Sequence, residues 1–518
     1  MSILSVTNVS HDFGGRQILD DASFKLLRGE HVGLVGANGE GKTTFLRIIT
    51  GDLMPDAGKI EWCKRITTGY LDQHTVLEKG VSIRDTLRKA FDHMYDLEAE
   101  MLKLYEDMAD ADDDNVTKMM EDAADIQQEL DFSGFYMLDS KIDTVANGLG
   151  LGDIGLEKNV NELSGGQRTK VLLAKLLLEA PMILILDEPT NYLDVAHIEW
   201  LKRYLVDYEN AFILVSHEVP FLNEVTNVTY HIEESILTRY SGNYDFFIKA
   251  HEAKNRQVEA AYEKQQKEIK KLETFVAKNK ARAATSNMAK SRQKKLDSMD
   301  RVELKREKVK PEFYFPTTRA SSRYVFQTKD LVIGYSEPLT KAIDVEVEYG
   351  QKIAICGVNG LGKSTLLKTL LGIIKPVSGN VIKGDYLATG FFEQEAIEDD
   401  GKTALEEIWD MFPSMTNQEV RVSLAKCGLT SEHITSRMKV LSGGENAKVR
   451  ICKLMLQELN LLVLDEPTNH LDVDAKDSLK EALKQFKGTI ILVSHDPDFY
   501  RDVVTDIWDV SDWTNKII

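Results

Sequence analysis

The chain has 518 residues, 43% of them apolar, a formal net charge of −19 and four cysteines, Cys63, Cys356, Cys427 and Cys452, none in a CxxC pair. That length exceeds one ordinary core and predicts two or more domains, and the cysteine spacing signals neither a zinc nor an iron–sulfur site and suits free thiols in a reducing compartment. No run approaches the roughly 18 consecutive apolar residues of a membrane span, so the expectation is a soluble, cytoplasmic protein.

The opening stretch MSILSVTNVSHDF lacks a basic region followed by a long apolar run and reads as a strand, not a signal peptide. A second apolar strand, HVGLV, leads into GANGEGKT at Gly36–Thr43. A glycine-rich loop between strand and helix turns backbone N–H groups toward a phosphate, and the helix that follows presents its positive end. The GxxxxGK[ST] spacing marks Gly36, Asn38, Gly39, Gly41, Lys42, Thr43 and Thr44 as nucleotide contacts, with Lys42 on the β- and γ-phosphates and Thr43 on Mg²⁺. Phe13 lies 29 residues before Lys42 and suits either stacking on adenine or a place in the core. Gln73, in YLDQ at the end of a strand-like run, is positioned to sense both the metal and the attacking water.

Two amphipathic helices come next. Leu87, Phe91, Met94, Met101, Tyr105 and Met108 recur at helical spacing, as do Val116, Met119, Ala123, Ile126 and Leu130, with DADDDN between the runs, so residues 87–131 read as an antiparallel helical hairpin. From Asp92 to Asp131 there are fifteen Asp or Glu and two Lys. Such a run is either a solvated surface or an arm for a basic partner. Beyond it, LSGGQ at Leu163–Gln167 brings Ser164, Gly165 and Gly166 to the start of a helix, again a phosphate-binding arrangement. LILDEPTNYLD then ends an apolar strand on Asp187, expected to hold Mg²⁺ through water, with Glu188 polarising the attacking water. ILVSH ends a strand on His217, 30 residues after Asp187, where it can bond a γ-phosphate.

Between about residues 242 and 322 the composition changes. Glu252 to Phe275 has no Gly or Pro and predicts a long helix; ATSNMA interrupts it, Lys290 to Glu307 resumes it, and Pro311 and Pro316 end it. From Lys264 to Lys295 there are eleven basic residues and two acidic ones. Cations at the tip of a helical hairpin can neutralise RNA phosphates, while the acidic remainder limits non-specific adsorption.

The rest of the chain repeats the first part. GVNGLGKS supplies Gly357, Asn359, Gly360, Gly362, Lys363, Ser364 and, next, Thr365; FFEQ supplies Gln394; LSGGE supplies Ser442, Gly443 and Gly444; LVLDEPTNHLD supplies Asp465 and Glu466; the second ILVSH supplies His495. Tyr335 stands 28 residues before Lys363, much as Phe13 stands before Lys42. The offset between copies is 321 residues from Lys42 and Gln73, and 278 from Ser164, Glu188 and His217, so the first copy carries about 43 extra residues, the acidic hairpin. The fold class expected is α/β, two tandem P-loop domains at 1–241 and 323–518, with a helical arm in the first and a basic α-helical linker between them.

P-loop, LSGGQ and DEP elements together resemble the ATP-binding cassette superfamily, and the arm and long charged linker resemble its ABC-F translation factors over nearly the whole chain. The resemblance implies an ATPase with two composite sites. One is Lys42, Thr43, Gln73, Asp187, Glu188 and His217, closed by Ser442, Gly443 and Gly444. The other is Lys363, Ser364, Gln394, Asp465, Glu466 and His495, closed by Ser164, Gly165 and Gly166. Thr43, Gln73, Asp187, Ser364, Gln394 and Asp465 are the implied Mg²⁺ contacts. The resemblance also implies a monomer whose cassettes pair within one chain, acting on the ribosome from the tRNA exit site, the linker reaching rRNA and P-site tRNA. The charge of the arm implies a basic ribosomal protein as its partner. Tyr192 against His470, and Glu445 in place of a signature glutamine, depart from the pattern at positions that make no phosphate contact. With 23 residues after His495, no C-terminal RNA-binding extension is expected.

Two other readings fit the motifs: the soluble tandem ATPase of a membrane importer, and a scaffold that uses ATP only to change shape. Two complete sets of site residues and a connector of about 80 residues favour the ribosomal reading.

Overall fold

The computed structural model describes residues 2–13, 16–71, 77–78, 80–108, 113–191, 193–279, 286–299, 310–335, 337–358, 360–393, 401–469 and 471–514. In the first half the strands are β1 (Ser2–Phe13), β2 (Arg16–Leu27), β3 (His31–Val35), β4 (Ala57–Trp62), β5 (Thr68–Tyr70), β6 (Ile183–Asp187), β7 (Ala211–Val215), β8 (Val228–Glu233) and β9 (Ile236–Tyr240). The second half has β10 (Tyr324–Val332), β11 (Glu346–Glu348), β12 (Lys352–Cys356), β13 (Ser378–Lys383), β14 (Thr389–Phe392), β15 (Leu461–Asp465), β16 (Thr489–Val493) and β17 (Asp506–Asp509). Each half pairs a mainly parallel sheet with a small antiparallel one. The parallel sheets run β5-β6-β7-β3-β8-β9 and β14-β15-β16-β12-β17, and the antiparallel ones β2-β1-β4 and β11-β10-β13. Among the described residues only β9 is antiparallel in its larger sheet, as a hairpin with β8.

Period-two alternation explains why the central strands are apolar throughout. In β6, Ile183 and Ile185 face the core shared with the antiparallel sheet, whereas Leu184 and Leu186 face the helical core on the other side. In β15, Leu461 and Val463 face one core and Leu462 and Leu464 the other. Fully buried on both faces, each such side chain contributes about 1.5–3 kcal/mol.

The acidic arm forms two helices, Asp92–Asp107 and Asp113–Ser133, packed side by side. Met101, Ala123 and Leu130 continue the first cassette's helical core between them. Of the DADDDN segment, Asp110, Ala111 and Asp112 lie outside the described residues.

The linker helix is longer than the composition indicates. It runs from Tyr244 to Asn279, eight residues earlier than Glu252, because Phe247 is buried in the first cassette's core and the helix starts there. The return helix is Ser286–Asp297, so SNMA belongs to a helix and not to the interruption. Lys280, Arg282 and residues 300–309 lie outside the described residues. The two helices pack together and Ile269, Val276 and Leu296 on them are buried, with Arg292 over the Phe275 ring at 3.7 Å and Lys295 Nζ donating to Glu268 Oε1 at 2.8 Å. Phe313 and Phe315 then anchor the chain in the second cassette's core. Among the described residues no helix is long and apolar enough to cross a membrane.

Candidate functional site

Both P-loops lie at the C-terminal ends of central strands, β3 and β12, and lead into the helices Lys42–Thr50 and Lys363–Leu370. The residue before each helix is glycine with φ 96°, Gly41 and Gly362. A Cβ on Gly41 would stand 2.4 Å from Ile18 Cγ2, so both conformation and space demand glycine there. The lysine that follows folds back into its own loop. Lys42 Nζ donates to the Gly36 and Ala37 carbonyls at 2.8 and 3.1 Å, and Lys363 Nζ to Gly357 and Val358 at 2.7 and 3.3 Å. Burial pushes both ammonium groups below the usual lysine range, against the pull of Glu188 on Lys42 and of Glu466 on Lys363.

The acidic pairs end the neighbouring strands β6 and β15. Thr43 Oγ1 donates to Asp187 Oδ2 at 2.9 Å, which brings a hydroxyl and a carboxylate from two elements to one point. Glu188 and Glu466 have φ of 49° and 48°, a left-handed conformation that costs a non-glycine residue of order 1–3 kcal/mol. The same conformation recurs at the same place in both copies, and the Glu188 and Glu466 N–H groups are held by Val215 and Val493 carbonyls at 2.9 and 3.0 Å. Burial, reinforced by the adjacent aspartate, pushes both glutamates up to about 7, with Lys42 and Lys363 pulling the other way. Burial likewise raises Asp187 and Asp465, opposed by the Thr43 and Ser364 hydroxyls.

Glu188 Oε1, Glu466 Oε1 and both carboxylate oxygens of Asp465 are buried without a well-aligned donor among the described residues. Buried acceptor oxygens short of well-aligned donors, beside a hydroxyl and a lysine, suit a hydrated divalent cation and the phosphates that carry it. The residues therefore fit Mg²⁺–nucleotide.

His217 Nε2 lies 3.4 Å from Glu188 Oε1, and His495 Nε2 3.1 Å from Glu466 Oε1. Lys363 Nζ also meets His495 Nε2 at 2.8 Å, and burial followed by that ammonium lowers His495 to about 4, so it is a neutral acceptor near pH 7. Each signature serine caps its helix, Gly165–Glu179 or Gly443–Met455. The Ser164 and Ser442 hydroxyls accept from Gln167 and Glu445 N–H groups, and those side chains accept from the serine N–H groups. Glu445 has a second partner, His433 Nε2 at 3.0 Å from its Oε1. Phe13 and Tyr335 are 51% and 70% exposed, which removes the core reading for both. Gln73, Asn359 and Gln394, with Tyr192 and His470, lie outside the described residues.

Sequence reasoning missed Asp194 and Asp472. They cap the helices Val195–Val206 and Val473–Gln485, accepting from the His197 and Ala475 N–H groups. Burial alone would raise Asp472, but Lys448 Nζ at 2.8 Å and then the Ala475 N–H and His217 more than offset it and hold the carboxyl below its usual range. Asp472 thus acts on Lys42 and His217, and Asp194 on Lys363 and His495, each across the boundary between cassettes. Lys476 similarly acts on Glu188. An Asp just ahead of a helical run is the local signal that could have marked each aspartate as a helix cap; its electrostatic reach to the P-loop lysine of the other copy has no local signal.

The sequence profile of the ABC transporter family matches residues 19–191 and 340–469, and a second ABC transporter profile matches residues 230–315. The ABC transporter ATP-binding protein YfmM of Bacillus subtilis is 60% identical over 518 residues, covering all of both chains. ABC transporter F family member 2 of Arabidopsis thaliana is 34% identical over 98% of this chain and 75% of its own length. Among solved structures, RNase-L Inhibitor superposes with a TM-score of 0.57 at 20% identity over 97% of this chain and 87% of that one. The archaeal ribosome recycling factor aABCE1, solved with the ribosomal stalk protein aP1, gives 0.58 at 20% identity over the same shares. At that identity the likeness concerns the fold.

Proposed function

Because this chain belongs to the ABC-F family of tandem ATP-binding cassette proteins and is therefore an ATPase, we propose that it works on the ribosome in the cytoplasm, as a monomer whose two cassettes close on each other. Bound Mg²⁺–ATP would supply the phosphoanhydride to be cleaved and the charge that draws the cassettes together; everything else is done by the chain's own side chains. Lys42 and Thr43, or Lys363 and Ser364, hold the phosphates and metal. Asp187 and Asp465 would help to hold the metal. Glu188 and Glu466, raised by burial into the range of an effective base at neutral pH, take the proton of the attacking water. His217 and His495 would contact the γ-phosphate, and the family pattern assigns Gln73 and Gln394 to the metal and the attacking water. Ser442, Gly443 and Gly444 close the Lys42 site, and Ser164, Gly165 and Gly166 the Lys363 site. The cross-boundary positions of Asp472 and Asp194 support this head-to-tail pairing.

The observation that carries the ribosomal reading is the linker. A continuous helix of 36 residues leaves the first cassette's core at Phe247. At 1.5 Å per residue it spans about 54 Å. Its far end carries a shallow cleft lined by Lys267, Lys270, Lys271, Thr274, Phe275 and Lys278, and the return helix adds exposed Lys290, Arg292, Lys294 and Lys295. A stiff cationic probe of that reach is superfluous for ATP turnover and suited to RNA phosphates. We assign it to rRNA and P-site tRNA, reached from the tRNA exit site. The acidic arm, repelled by bare RNA, is assigned to a basic ribosomal protein. Co-sedimentation with ribosomes tests the reading: binding that rises with ATP and survives in the hydrolysis-deficient double variant supports it, and equal recovery with and without nucleotide refutes it.

A further inference from the structure

We propose that His231, Glu233 and His251 form a binding site for a divalent transition metal of the zinc class, which ties the root of the linker helix to the outer hairpin of the first cassette. His231 and Glu233 are two residues apart on β8, so their side chains stand on one face of the sheet. The linker helix lies on that face through Phe247, whose ring is 4.7 Å from His231 and 5.0 Å from Tyr240. His251, one turn further along the helix, follows it down, its ring centroid 5.0 Å from that of His231. One ligand atom from each of the three residues lies within 4.8 Å of the other two, and all three residues are half-buried.

Two imidazoles and a carboxylate are a nitrogen and oxygen donor set that suits Zn²⁺ with water in the fourth position. Bonds of about 2.0–2.1 Å put the ligand atoms of a tetrahedral site roughly 3.4 Å apart, so each side chain needs to close by less than about 1 Å. The surroundings orient the imidazole of His251. Tyr240 Oη lies 3.4 Å from its Nδ1, and Asn255 Nδ2 3.0 Å from its Nε2. With the Asn255 amide donating to Nε2, the ring proton sits on Nδ1 toward Tyr240, and a cation that binds Nε2 takes over the lone pair now accepting from Asn255, whose amide turns away. Glu233 Oε1 is 4.0 Å from that nitrogen, too long for a direct hydrogen bond and short enough for both to reach one cation. A ring N–H held by a second group is what fixes the tautomer of a ligating histidine. Metal entry displaces any proton carried by the three ligands and adds a bond between the cassette and its lever.

Titration of the chelator-treated full chain with Co²⁺ alone, followed by visible absorption, tests the site. The expected result is a saturable signal at one ion per chain, displaced by Zn²⁺, with a rise in melting temperature. Glu233→Gln and His251→Gln are expected to lose more than the roughly 10–100-fold in affinity that changes outside the ligand set cost. No saturable signal on the native chain, or one unchanged in both variants, overturns the proposal. Pulsed EPR of Cu²⁺ on the native chain needs no variant: coupling to two imidazoles supports the assignment, and coupling to one or none overturns it.

Discussion

Replacing Lys270, Lys271, Lys278 and Lys290 of the linker with glutamine measures how much of ribosome binding is counterion release. These four are chosen because the hairpin does not depend on them: Lys295 is tied to Glu268 and Arg292 stacks on Phe275, so changing either would confound charge with folding. Each phosphate left without its lysine lowers the log–log salt slope by about 0.7–0.9. Four such substitutions therefore flatten it by about 2.8–3.6. Between about 50 and 200 mM salt, the variant's affinity should fall about 50- to 150-fold less than that of the native chain. The assay is equilibrium co-sedimentation across that range, with circular dichroism as the check on helix content. A variant that binds more weakly at every salt concentration with the slope unchanged would refute the reasoning, since it would place these lysines away from phosphate.

Glu188→Gln with Glu466→Gln should cut phosphate release by about 10²–10⁴-fold while nucleotide still binds, because the proton acceptor is removed and the P-loop is not; turnover at the native rate would sink the assignment. Ser164→Arg should reduce nucleotide occupancy at the Lys363 site and spare the Lys42 site, read by site-specific photo-labelling; the reverse pattern would rule out head-to-tail pairing. Asp472→Ala removes a helix cap worth about 1 kcal/mol and leaves the buried Lys448 without its 2.8 Å partner, a loss of roughly 3–5 kcal/mol. Urea unfolding should show a drop of that order in the second cassette, and a change below about 1 kcal/mol would mean that water replaces the carboxylate.

Much of the fold follows from local pattern. Apolar runs leading to the P-loop, to Asp187 and to His217 have the length of strands buried on both faces, and β3, β6 and β7 are those strands, β7 ending at Val215, two residues before His217. The heptad-like repeats of the arm form two packed helices for the same reason. Linker boundaries were less legible. Composition marks where a helix is favourable, but the start at Tyr244 is set by Phe247 finding a core pocket many residues away in sequence. The exposure of Phe13 and Tyr335 was equally undecidable, since an aromatic residue serves a core and a ligand alike.

The sequence by itself determined the family, and with it the chemistry proposed for each motif, because the proposed phosphate binding and water activation depend on residue type at fixed spacing along one strand, loop and helix. It also determined the repeat and the opposite charges of arm and linker. The tertiary structure decided what meets across distance: that Glu188 and Glu466, in a left-handed conformation, bond through their N–H groups to the Val215 and Val493 carbonyls, that Asp472 and Asp194 act on the P-loop lysine of the opposite cassette, and that His251 of the linker comes down beside His231 and Glu233. These depend on how one element packs on another, a sum of buried surfaces and desolvated charges that no local window of residues contains.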